Sequence, residues 1–278
     1  MLQEVGSLSD LPELFRQGEI RSVPGRELFD ESVFDWSMDY LAKHHSKVPV
    51  NTDIKLKNGV FNSRRIDMSE FISRTDGVVG NERYLDLAEK STLYANLNAK
   101  RILNKNLVKG DVAKLHRHQL SYMWLGMSPG TLHIDFFDNF LVQLHGQKRI
   151  IIFKTQVNDE ISSKHYVNLP LNHDIPAEEN KKGNPWIKPE NYYDIILNPG
   201  DAVMIPNAAY HCATGITADS VSLNTFFVPK FRGGCHSPYA RSDSKTPRII
   251  NNTMISLSQL YYRFTNRSLM NSNHYEIF

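Results

Sequence analysis

The sequence predicts a mainly β protein, a sandwich or barrel with helical decoration, and three observations predict it. Short apolar runs crowd the stretch from about 120 to 228, each of about four to eight residues and each bounded by Gly, Pro or Asn. Helical periodicities are confined to the two ends of the chain. No internal repeat or low-complexity segment interrupts this order, and many short strands with turn signals favour two packed sheets.

Residues 7–17 predict a short capped helix, with Leu11, Leu14 and Phe15 at i, i+3, i+4 spacing. Pro24-Gly25 punctuates the chain, and a second amphipathic helix is expected over 33–45, burying Phe34, Trp36, Met38 and Leu41. Residues 48–62 suggest a strand or hairpin turning at Asn58-Gly59, and 68–74 another short helix. Strands follow at 122–127, 140–146 and 147–153, the last two meeting at Gly146 as a hairpin candidate. The polar stretch 154–191 is long for a compact domain, a length that often marks function. Strands resume at 193–197, 202–205 and 221–228, and helical spacing returns over 249–269, from Ile250 to Leu269. So much apolar surface on a helix outside a β core needs a partner, in its own chain or a second copy.

Of the 278 residues 41% are apolar and 22% charged, the balance of a soluble globular protein, and a net charge of +2 provides no global attraction to nucleic acid or membrane. Cys212 and Cys235 form neither a disulfide framework nor a Cys-x-x-Cys pair, which suits a reducing compartment. Met1 to Ile20 contains Glu4, Asp10, Glu13 and Glu19 and lacks a signal peptide's apolar segment. The expectation is a cytoplasmic protein.

Two short segments carry the chemistry. His133-Ile134-Asp135 places an imidazole and a carboxylate two residues apart, on one face if the segment is a strand. Pro199-Gly200-Asp201 opens a turn–strand–turn unit in which Ala202 to Ile205 form a strand, Pro206 ends it and His211 begins the next. Two His and one carboxylate are the ligands of a non-haem Fe(II) facial triad, which leaves coordination positions open for a co-substrate and O₂.

Together the segments resemble the JmjC/cupin-type Fe(II) and 2-oxoglutarate-dependent hydroxylases, most closely the subgroup around the asparaginyl hydroxylase factor-inhibiting-HIF. The resemblance rests on His133-Ile-Asp135, Asn139, Gly146-Gln-Lys148-Arg149, residues 199–211 and Asn224, and more loosely on Glu82-Arg83-Tyr84. It implies a double-stranded β-helix, or jelly roll, with an N-terminal helical and β extension over 1–95, a catalytic core over 96–232 and a C-terminal helical segment over 233–278. It also implies a homodimer formed through those last helices. Fe(II) would be held by His133, Asp135 and His211. The far carboxylate of the 2-oxoglutarate co-substrate would meet Lys148 and the hydroxyl of Tyr84, for which Tyr94 and Tyr122 compete. Asn139 and Asn224 would bond near the metal-bound end. The subgroup's Thr or Ser three residues before the first His is Gly130 here; Thr131 is the candidate replacement, with Ser128 nearby.

The reaction implied is hydroxylation of a C–H bond with release of succinate and CO₂, most readily on a protein or peptide side chain. A small metabolite or a tRNA base is the alternative substrate, and a catalytically silent, metal-binding cupin the alternative class. Trp186, Tyr192 and Tyr193, in and beside the 154–191 segment, are the candidate substrate contacts. His116 and His118 are expected at the surface; His145, His165, His173 and Cys212 read as structural or surface residues.

Overall fold

The protein is described here from a computed structural model over residues 2–47, 49–55, 61–75, 83–87, 103, 116–127, 130–135, 137–158, 160–161, 168–169, 174–229 and 257. Helices come first because their starts are written into the sequence. Ser7 accepts a hydrogen bond from the Ser9 amide and opens a 3-10 turn, Leu8–Asp10, which runs into α1 (Leu11–Gln17). The helix expected over 33–45 is two pieces, a 3-10 turn at Glu31–Asp35 and an α-helix at Met38–His44, which follows the one-turn α2 (Gly25–Leu28) and is labelled α3. Ser37 causes the break: its hydroxyl accepts from the Tyr40 amide at 3.1 Å, the bond that starts a new helix. Phe34, Trp36, Met38 and Leu41 are nonetheless all buried, as their spacing requires. Met68–Thr75 forms α4.

The strands make two antiparallel sheets. Early in the chain are β1 (Ser22–Pro24), β2 (Pro49–Lys55), β3 (Phe61–Asp67) and β4 (Arg83–Leu87). The middle supplies β5 (His116–Leu125), β6 (Leu132–His133), β7 (Asp138–His145), β8 (Lys148–Phe153) and β9 (Asn168–Leu169). The last four are β10 (Tyr192–Leu197), β11 (Asp201–Ile205), β12 (His211–Gly215) and β13 (Val221–Pro229). Among the described residues the larger sheet has the order β1-β11-β7-β13-β5-β4-β2-β3 and the smaller β10-β8-β12-β6-β9. The expected hairpin at 48–62 is present as the β2–β3 pair, Lys55 opposite Phe61; its turn at Asn58-Gly59 lies outside the described residues. Because β4 pairs with β5, the sheet runs on across the boundary expected at residue 95.

One expectation is corrected. Residues 140–146 and 147–153 do not form a hairpin: β7 pairs with β11 and β13, while β8 pairs with β10 and β12 in the other sheet. Gly146, at φ 62°, turns the chain from one sheet to the other. A Cβ there would collide with Thr217 and Asp219, so the crossing needs glycine.

Three strands of the larger sheet, β7, β11 and β13, have two buried faces. Phe140, Val142 and Leu144 of β7, with Met204 of β11 and Leu223 of β13, pack against the N-terminal helices. The alternate residues Leu141, Val203, Ile205 and Phe226 face inward and pack with Ile150 and Ile152 of the smaller sheet. The result is a mainly β jelly roll whose interior, between the sheets, holds the candidate site residues Asp135, Asn139, Lys148, His211 and Asn224. Within the 154–191 stretch the described residues form a 3-10 turn at Thr155–Val157, β9, a helical turn at Glu178–Lys181 and another 3-10 turn at Pro189–Asn191, among other segments. The segment over 233–278 that was expected to be helical lies, apart from Leu257, outside the described residues. Among the described residues no helix is long and apolar enough to cross a membrane.

Candidate metal centre

His133 ends β6 and His211 begins β12, and the two are directly opposite in the antiparallel β6–β12 pair. Opposed residues project to the same face, so the pairing register alone brings the imidazoles together, with ring centroids 4.4 Å apart. Asp135 lies just past the end of β6, so the expected strand geometry holds only for the first ligand. The carboxylate still reaches both rings: Oδ2 is 3.3 Å from His211 Nε2 and Oδ1 is 3.9 Å from His133 Nε2. All three donor atoms lie within 4.8 Å of one another. Adjacent ligands about 2.1 Å from an octahedral ion stand about 3 Å apart, so small side-chain rotations would close them on a metal.

Both rings are aimed by the same local device. His133 Nδ1 lies 2.7 Å from the Thr131 carbonyl and His211 Nδ1 2.9 Å from the Ala209 carbonyl, two residues back in each case. A donor N–H at Nδ1 leaves the Nε2 lone pair for a metal. Asn139 Nδ2 donates to Asp135 Oδ2 at 2.7 Å and fixes the carboxylate plane. Burial pushes the His133 pKa down, and neighbouring His211 lowers it further. Burial acts to raise Asp135 and to lower His211, yet their mutual contact prevails, drawing Asp135 down and His211 up.

Deeper in the barrel stands Lys148, 2% exposed, on the face of β8 that also presents Ile150 and Ile152. No hydrogen bond or ion pair holds it among the described residues, and burial alone brings its pKa down to about 7. Around it the interior carries unsatisfied polar atoms: Asn139 Oδ1, Asn224 Oδ1, Gln143 Oε1 and Ser222 Oγ are buried without a hydrogen-bond partner among the described residues. Ser222 and Gln143 escaped the reading of the sequence. Each shares a strand face with a residue that was found: Ser222 stands two before Asn224, and Gln143 four after Asn139.

Other expected residues fall elsewhere. Thr131 is exposed and contributes its backbone carbonyl rather than its hydroxyl. Gly130 cannot be replaced by the subgroup's Thr or Ser, because a Cβ there would run into the Ala213 backbone. Tyr84 lies on β4, but its side chain, like that of Tyr122, is outside the described residues; so are Ser128, Tyr94, His165 and His173. Trp186 is a correction: it is 1% exposed and stacks edge-on against Phe153 at 5.2 Å. Phe153 points away from the barrel interior, on the opposite face of β8 from Ile152, which is paired with His211. The indole is therefore core behind the smaller sheet and has no access to the metal side. Tyr192 packs on the same outer side of Phe153, at 5.4 Å, and Tyr193 sits under Lys154 at 5.0 Å. His145 Nε2–H donates to the Phe34 carbonyl, 2.8 Å away, and ties β7 to the N-terminal segment. Cys212 is buried, and burial pushes its thiol up to about 12, which leaves it unreactive.

A family profile described as a cupin-like domain matches residues 30–233. The chain belongs to the cupin-like family. This cupin-like protein is also 26% identical over 128 residues to the JmjC domain-containing protein F of Dictyostelium discoideum. That alignment covers 39% of this chain, and the chain spans about a quarter (27%) of the relative's length.

Proposed function

We propose that this cupin-like protein is an Fe(II) and 2-oxoglutarate-dependent oxygenase that hydroxylates a C–H bond, most readily on a protein or peptide side chain. The observation that carries the reading is the pairing of a His133–Asp135–His211 cluster with the buried Lys148 amine, which has no partner among the described residues, in the same barrel. A cation in a dry interior is costly unless an anion meets it, and 2-oxoglutarate is a dianion long enough to span a metal and a lysine. Ser222 Oγ, buried without a partner among the described residues, is a hydroxyl that can donate to an oxygen of the same guest. The donor set is that of non-haem iron rather than of a thiolate-bound structural metal.

Fe(II) with 2-oxoglutarate supplies the activation of O₂ that places oxygen on carbon as the co-substrate becomes succinate and CO₂. The chain's own residues hold and orient. His133, Asp135 and His211 would hold the ion, and Asn139 would keep the Asp135 carboxylate oriented toward it. Lys148 would pair with the far carboxylate, and that contact would restore its proton. Ile150, Ile152, Val203 and Ile205 line the interior and exclude water.

The preference for a protein or peptide substrate rests on the resemblance to the factor-inhibiting-HIF subgroup alone; a small metabolite or tRNA base is the alternative. One observation favours a different class, a silent metal-binding cupin: in place of the subgroup's Thr or Ser stands a glycine whose Cβ would meet the Ala213 backbone, and Thr131 faces solvent. Anaerobic titration of the Fe(II) protein with 2-oxoglutarate separates the two. The oxygenase develops a metal-to-ligand charge-transfer band that His133→Ala abolishes. Iron bound without the band returns the protein to the silent class.

A further inference from the structure

The ladder between β7 and β11 ends at Asn139 opposite Ile205. Beyond it the two chains part, one leading back to Asp135 and the other on to His211. Asp138 and Asn207 hold them together where the ladder stops. Asp138 Oδ1 accepts from the Asn207 backbone N–H at 2.9 Å and from its Nδ2 at 2.8 Å. The next residue, Ala208, is the one non-glycine at positive φ (64°) among the described residues, and its N–H donates to the Asp135 carbonyl at 2.8 Å. Ala209 then closes a turn on the Pro206 carbonyl at 3.2 Å and offers its own carbonyl to His211 Nδ1 at 2.9 Å.

We propose that Asp138 is a positioning residue for the metal centre, its carboxylate fixing the 206–210 turn from which His211 is presented to Asp135 and His133. The inference rests on the metal-site reading above and extends it to a residue outside the ligand set. A carboxylate suits the task. It is 2% exposed, and one oxygen takes both donors of Asn207 through charge-assisted bonds, which are shorter and stronger than neutral ones. The clamp also holds Ala208 in a left-handed conformation that an unrestrained Ala avoids. Without it the turn can relax, the Ala209 carbonyl moves, and the His211 ring loses its tilt toward Asp135. The clamp thus joins the two ligand-bearing segments, far apart in sequence, within one turn of the ligands themselves.

The test is metal affinity and coordination geometry in the full chain, with Co(II) as probe under anaerobic conditions. Asp138→Ala is expected to weaken binding about 10-fold, the low end of the effect of losing a direct outer partner of a ligand because Asp138 acts through the 206–210 turn, and to alter the Co(II) d–d spectrum. Asp138→Asn keeps an oxygen for the Asn207 amide and is expected to recover part of the affinity. Asn207→Ala removes the side-chain donor from the other end and reports on the clamp if Asp138→Ala does not fold. Variants that lose apo stability but keep wild-type affinity and spectrum overturn the proposal. A wild-type protein that binds no Co(II) overturns the metal reading instead, and so the two failures are distinct.

Discussion

Replacing Lys148 with Met should make the empty protein more stable and at the same time blind to 2-oxoglutarate. The amine is 2% exposed, and burial lowers its pKa from 10.5 to about 7. An unfolded chain at pH 7 holds that proton fully while the folded chain holds it about half the time. At about 1.36 kcal/mol per unit, the mismatch disfavours folding by about 4 kcal/mol at pH 7. Met keeps an unbranched chain of similar length and removes the charge, so Lys148→Met should gain up to about 4 kcal/mol there. The sign of the pH dependence follows from the depressed folded value. Between about 7 and 10.5 the unfolded state binds more protons, so wild-type stability climbs with pH across that window and is flat below it. The variant should lack the climb, and the two curves should meet above about 10.5. Urea unfolding at half-unit pH steps reads both quantities. A thermal-shift series with 2-oxoglutarate completes the assay, raising the wild-type midpoint and leaving that of Lys148→Met unmoved. A variant no more stable than wild type at pH 7, or a gap that stays constant from pH 7 to 10, would refute the account of Lys148 as an unpaired buried cation.

Two further expectations concern residues around the site. Gly130→Ser should destabilise the fold by about 2 kcal/mol or more, since its Cβ has no room against the Ala213 backbone; a Gly130→Ser variant with the wild-type midpoint in chemical denaturation would show that β6 can move aside. Trp186→Ala should cost about 3–5 kcal/mol in the same measurement, as expected for a large aromatic removed from a core. Metal affinity of the Trp186→Ala protein that remains folded should be unchanged, and a loss of affinity would mean that the indole communicates with the far side of the sheet.

Much of the site was legible because local chemistry wrote it. His133, Asp135 and His211 are identifiable from ligand type, and the Pro199-Gly200-Asp201 turn with Pro206 announces the strand that delivers His211. Lys148, which the resemblance assigns to the co-substrate, alternates with Ile150 and Ile152 along β8 and is buried with them on the inward face. Asp138 and Asn207 carry no such signal: an Asp and an Asn in turns are ordinary, and only the approach of two distant segments makes them partners. Trp186 shows the opposite error. An aromatic in a polar stretch looked like a docking residue, and its burial depends on how residues 174–191 fold back over Phe153.

The sequence by itself determined the fold class, the positions of the strands β7, β8, β10, β11 and β13 within a few residues and the candidate donor set, because these follow from periodicity, turn chemistry and side-chain type. Tertiary structure alone decided that β7 and β8 part into different sheets at Gly146, that His133 meets His211 across one register position, and that Lys148 is left without a partner among the described residues. The physical reason is that sheet membership and pairing register are long-range choices. A strand buried on both faces has no preferred partner in its own residues, and only the packing of the whole barrel selects one.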